Sequence, residues 1–129
     1  MARPALLLTS LLVWAIAPRV EAAAFREVRG ELSIEVSATP DPPREGEWVT
    51  YTVRLQDASR APLVGATVRL TGRMADGMAV RADLRSTRTD GIHSGGLLFT
   101  MRGRWEMRLT IAHPRGGAEV PFPEEVTGR

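Results

Sequence analysis

Asp90-Gly-Ile-His-Ser-Gly-Gly-Leu-Leu-Phe-Thr-Met-Arg-Gly-Arg-Trp-Glu-Met-Arg-Leu109 is the stretch whose reading decides the fold. His93, Gly95, Leu97, Phe99 and Met101 share one parity, and Trp105, Met107, Leu109, Ile111 and His113 share another. Period-two alternation on both sides of a glycine predicts two strands, each with one buried face. The stretch therefore reads as a β-hairpin turning at Arg102–Arg104, with Met101 and Met107 as core residues and the two histidines at the far strand ends.

Working outward, the same alternation recurs. Leu32, Ile34, Val36 and Ala38 form one inward face, and Val49, Tyr51, Val53 and Leu55 a second. Val64, Ala66, Val68 and Leu70 form a third, whose parity runs on through Gly72 to Met74. Val80, Ala82 and Leu84 make a weak strand, and Ala118, Val120 and Phe122 a last one that Pro121 and Pro123 confine to a sheet edge. Thr39–Gly46, Asp57–Pro62 and Ala75–Gly77 supply the breaks between them. No stretch after the N-terminus keeps a 3.6-residue apolar period. The expectation is an all-β fold, an immunoglobulin-like antiparallel β-sandwich of about seven strands preceded by a signal peptide.

That leader is read from Met1-Ala-Arg-Pro, a short positive start, followed by a charge-free apolar run of 13 residues, Ala5–Ala17. The run is too short to span a bilayer as a helix, which takes about 20 residues, and it has the length of a signal-peptide core. Val20-Glu-Ala-Ala-Ala24 offers cleavage after Ala22 or Ala24. Residues 1–24 are thus assigned to a signal peptide, 25–31 to a charged linker and 32–129 to the domain. About 105 residues then remain, enough for one core. An uncleaved leader would instead anchor the domain on the same, extracytoplasmic side of the membrane; a cleaved one leaves no lasting membrane insertion.

Composition excludes several functions. The chain has no cysteine, which removes disulfides, thiolate metal sites and a cysteine nucleophile. Its 17 basic residues are all arginine, set against 15 acids for a net charge of +2. They are dispersed among Asp and Glu rather than clustered with aromatics, so no nucleic-acid partner is expected. Catalysis finds no footing. His93 and Ser94 point to opposite faces of a strand, Asp90 and His93 lack a nucleophile to complete a triad, and Glu124-Glu125 are read as lying in a terminal tail. The chain is expected not to be an enzyme.

What chemistry remains is soft metal binding. Thioethers select Cu(I) and imidazole accepts copper in either state, so Met74, Met78, His93 and His113 are the candidate copper ligands if they share a pole of the sandwich.

The segment Asp57-Ala-Ser-Arg-Ala-Pro-Leu-Val-Gly-Ala-Thr-Val68 resembles the D-x-x-G-x-P-V-x-G-A-x-V turn-and-strand of bacterial immunoglobulin-like modules. Together with Met74-x-x-x-Met78, Asp90-Gly91, Gly95 and Gly103-x-Trp105-Glu106, it resembles the YtkA-like/FixH-like domains over roughly Ser37 to His113. The resemblance implies a small exported β-sandwich associated with copper handling or respiratory oxidase assembly, with another envelope protein or a metalloprotein as partner. Some members carry a Met-Pro-x-Met-x-His segment; here Ala75 stands at the proline position and Ala79-Val80 where the histidine would fall. The alternative is a ligand-free immunoglobulin-like interaction module of the cell envelope.

Overall fold

The computed structural model describes residues 23–128, so the leader assigned to residues 1–24 lies almost wholly outside it. Eight strands follow in order: β1 (Ala23–Arg29), β2 (Leu32–Thr39), β3 (Trp48–Gln56), β4 (Thr67–Arg73), β5 (Ala79–Ser86), β6 (Ile92–Leu98), β7 (Gly103–Ala112) and β8 (Ala118–Val126). All pair antiparallel, in the spatial order β1-β2-β3-β6-β5-β4-β7-β8.

The order folds over at β5. Ala79–Leu84 pair with β4, while Arg85 and Ser86 pair with Ser94 and His93 of β6. One layer is thus β1-β2-β3-β6, the other β5-β4-β7-β8, and β5 hinges them along one side. On the opposite side the outer strands approach, with the Phe25 and Phe122 rings 4.7 Å apart and Arg29 donating to the Glu119 carbonyl at 3.2 Å.

The alternation fills the space between the layers. Ile34, Val36 and Ala38 of β2 and Val49, Tyr51, Val53 and Leu55 of β3 face Val68 and Leu70 of β4 and Trp105, Met107, Leu109 and Ile111 of β7, all buried. At ~25 cal/mol per Å² of apolar surface, this contiguous apolar core is the main stabilising contribution. Pro121 and Pro123 sit on β8, whose outer side is a sheet edge, where a missing N–H deprives no ladder bond.

Four expectations need correction. The stretch 90–109 is not a hairpin: β6 pairs with β3 and β7 pairs with β4 and β8, so Phe99–Arg102 carries the chain from one layer to the other. Alternation looks the same in both arrangements, because each strand has one inward face either way. Phe99 is fully buried and meets Trp105 edge-on at 5.1 Å, so the crossing is plugged by aromatics rather than closed as a surface turn.

Residues 25–29 belong to strand β1, not to a linker. Their charges lie along the outside, where Arg26 pairs with Glu35 at 3.2 Å and Arg29 with Glu27 at 3.0 Å, which masks the period. Val64 is 55% exposed and Leu63 takes the buried place, since Pro62 bridges to Gln56 and β4 starts only at Thr67. Met101 is 39% exposed rather than in the core, because β6 has ended three residues earlier.

Gly91 shows how a connection is fixed. Its φ is +80°, and a Cβ there would lie 2.8 Å from the Leu55 carbonyl oxygen and 2.9 Å from Pro62 Cβ. Gly77, with φ +99°, has open space around the same position. Gly91→Ala should therefore lower unfolding free energy by about 2–4 kcal/mol, combining backbone strain with a clash. Gly77→Ala, strained but unobstructed, should cost about half that; urea denaturation of both variants measures the difference.

Candidate functional site

The strands deliver the candidate ligands to two opposite ends. His93 opens β6 beside Ser86, and His113 follows β7, whose Ala112 pairs with Thr67 at the start of β4. Met74 follows Arg73 at the other end of β4, and Met78 precedes β5. Thr67 and Arg73 are six residues apart, about 20 Å along a strand. Met74, Met78, His93 and His113 therefore do not form one site: the thioethers cannot reach the imidazoles.

At the histidine pole the two rings hold neighbouring carbonyls of the β3–β4 connection. His93, 4% exposed, donates from Nε2 to the Ala66 oxygen at 3.2 Å, which leaves Nδ1 buried without a partner. His113 Nε2 donates to the Val64 oxygen at 2.9 Å, and its Nδ1 accepts from the Arg115 backbone N–H at 3.0 Å. Both nitrogens of His113 are thus committed to the local fold. The histidines share a pole as the parity implies, but they clamp a loop there. A cleft of about 300 Å³ beside His113 is lined by Arg29, Leu32, Asp57, Leu63, His113 and Arg115. The Asp57 carboxylate is turned inward on its own loop, accepting from the Ser59 hydroxyl and the Ser59 and Ala61 N–H groups, which hold its pKa below the ordinary value.

The methionine pole is built differently. Met74 and Met78 close the β4–β5 turn, with the Met74 N–H bonded to the Met78 carbonyl at 2.9 Å and Asp76 accepting the Met78 N–H at 2.9 Å. The Thr100 hydroxyl lies 3.9 Å from Met78 Sδ, which sets the turn against the β6–β7 crossing. Met78 and Met101 are each 39% exposed, and Met74 is half-buried against the core. Trp48, 68% exposed, opens β3 opposite Leu98 at this same end. Among the described residues, no three His, Cys, Asp or Glu side chains gather as a metal site.

One further group escapes the sequence reading. Glu124 is not in a tail but on β8 opposite Trp105, and it accepts a 2.7 Å hydrogen bond from the hydroxyl of fully buried Tyr51 in the other layer. Its even-numbered parity with Val120 and Phe122 was the available signal. Burial pushes the Glu124 carboxyl above the ordinary carboxylate range despite the opposing effect of that hydrogen bond. Burial, with the nearby Glu124 charge, raises the Tyr51 hydroxyl as well.

Because the folded protein holds the Glu124 proton more tightly than the unfolded chain, this group favours folding at low pH. The contribution is lost as pH rises from the unfolded value through the folded one. Glu124→Gln, which keeps an acceptor for Tyr51, should therefore be more stable than the wild type at neutral pH. That gap should shrink as pH falls through the carboxylate range, as read by melting temperature against pH.

No protein-family profile and no curated protein matches the sequence. Solved structures do share the fold. A DUF4426 family protein from Pseudomonas aeruginosa is 12% identical with a TM-score of 0.64, over 80% of this chain and 94% of that one. A copper-bound variant of FetP from uropathogenic Escherichia coli is 12% identical with a TM-score of 0.57, over 85% and 94%. The Lin-41 filamin domain is 17% identical with a TM-score of 0.52, over 70% and 90%. What these similarities establish is the architecture: a small all-β sandwich of the immunoglobulin-like kind.

Proposed function

We propose that this chain is an exported, non-catalytic accessory protein that holds copper at its methionine pole and meets an envelope metalloprotein. The observation that carries the reading is the Met74–Met78 turn, two thioethers set by backbone hydrogen bonds against the β6–β7 crossing. Two features support it beside that geometry: the YtkA-like/FixH-like resemblance, which takes in the Met74-x-x-x-Met78 segment, and a shared architecture with FetP, a protein whose structure has been solved with copper bound. Export rests on the positive start, the Ala5–Ala17 run and the small residues before Phe25. The histidines are left out of the ligand set, since they lie at the other pole and His113 has no free ring nitrogen.

The donor chemistry fits the ion. Thioethers are soft, neutral ligands that favour Cu(I). Bound there, copper would be carried in its reduced state; the protein's part is to hold the turn and leave one side open to a recipient.

A competition titration of the purified protein against a chromophoric Cu(I) chelator under reducing conditions tests this. One equivalent should bind with a micromolar or lower Kd. Met74→Leu and Met78→Leu, which conserve volume, should each weaken binding at least tenfold, while Met107→Leu in the core and His113→Gln should not. Binding no tighter than millimolar would overturn the copper reading.

In that event the second reading stands, a ligand-free interaction module. It is favoured by Trp48, Met78 and Met101, three of the five exposed large hydrophobic residues among those described, gathering at this one pole. An aromatic anchor flanked by flexible methionines is a composition suited to contact with another protein.

A further inference from the structure

We infer that Met101 is a third thioether of the methionine pole, making it a three-sulfur site that takes Cu(I) and rejects Cu(II). The inference rests on the copper reading above and adds to it a residue that strand parity assigns to the core.

The geometry comes from the crossing. Trp105 Nε1 donates to the Met101 carbonyl at 3.0 Å, so the buried indole fixes the Met101 backbone while its side chain stays 39% exposed. On one side, Thr100 contacts Met78 Sδ. On the other, Gly103 leaves room for the end of Met74: a Cβ at that position would come within 2.9 Å of Met74 Cε. Both Met74 and Met78 thus lie against residues 100–103, the segment that carries the exposed Met101.

Nothing in the core uses the Met101 side chain. The aromatic pair Phe99–Trp105 closes the crossing without it.

Three neutral thioethers suit the low coordination number and softness of Cu(I). They supply neither the imidazole nitrogen nor the anionic oxygen that Cu(II) prefers. On the turn, Asp76 Oδ1 already accepts the Met78 N–H, and the imidazoles are at the far pole. The selectivity follows from the softness of the three donors.

X-ray absorption at the copper edge and the chelator titration, applied to wild type and Met101→Leu, test the assignment. The wild type should show three sulfur neighbours and the variant two, with Cu(I) affinity falling at least tenfold and the melting temperature of the copper-free protein unchanged. Cu(II) should not be retained through gel filtration by either. If Met74→Leu and Met78→Leu lose Cu(I) but Met101→Leu keeps the wild-type affinity and sulfur count, Met101 is not a ligand and the broader reading survives. Retention of Cu(II) would overturn the selectivity. If the wild type binds no Cu(I), both fall together.

Discussion

The edge-to-face contact of Phe99 with Trp105 is the constraint on which the rest of the sandwich depends. It stands where the chain leaves one layer and enters the other, and both rings are fully buried. Aromatic pairs of this geometry add about 0.5–1.5 kcal/mol beyond the area they bury. Their larger effect here is directional. β6 ends at Leu98, the chain crosses past the two packed rings, and the indole N–H fixes the Met101 backbone. The methionine pole is assembled around that crossing, so the core and the candidate site share one anchor.

The layers are joined in three other ways. β5 hydrogen-bonds to both layers along one side; the Phe25–Phe122 contact brings the outer strands together along the other. Between them, Tyr51 reaches across the interior to Glu124. A carboxyl group placed there is costly to ionise, and the hydroxyl supplies only part of what water would. The Tyr51–Glu124 bond is a polar tie within the apolar core, and it lies towards the methionine end rather than the histidine end.

Period-two alternation made the strands and most of the core readable from the residues. It fixed Ile34, Val53, Leu70 and Leu109 inward without any knowledge of which strand lies beside which. Pairing was not readable, because an arch between layers and a hairpin within one have the same alternation. The same gap hid the site. Whether Met74 and His93 meet depends on which ends of β4 and β6 coincide, and that is settled by register, which depends on the crossing. Met101 was misassigned because parity was carried past the end of the strand, and β1 was missed because one inward aromatic, Phe25, gives no period. Glu124 was legible in principle: it sits two positions after Phe122 in an alternating run, but a glutamate among prolines does not look like a strand residue.

Pro121 and Pro123, two residues apart on an outermost strand, have their ring nitrogens on the same side. An incoming strand would meet carbonyl acceptors there with the matching donors missing, and the Arg29 guanidinium already occupies the Glu119 carbonyl at that rim. This margin of the sandwich resists templated growth into a continuous sheet with other copies, the hazard that an unprotected sheet edge carries. Contacts through backbone pairing are thereby disfavoured at β8.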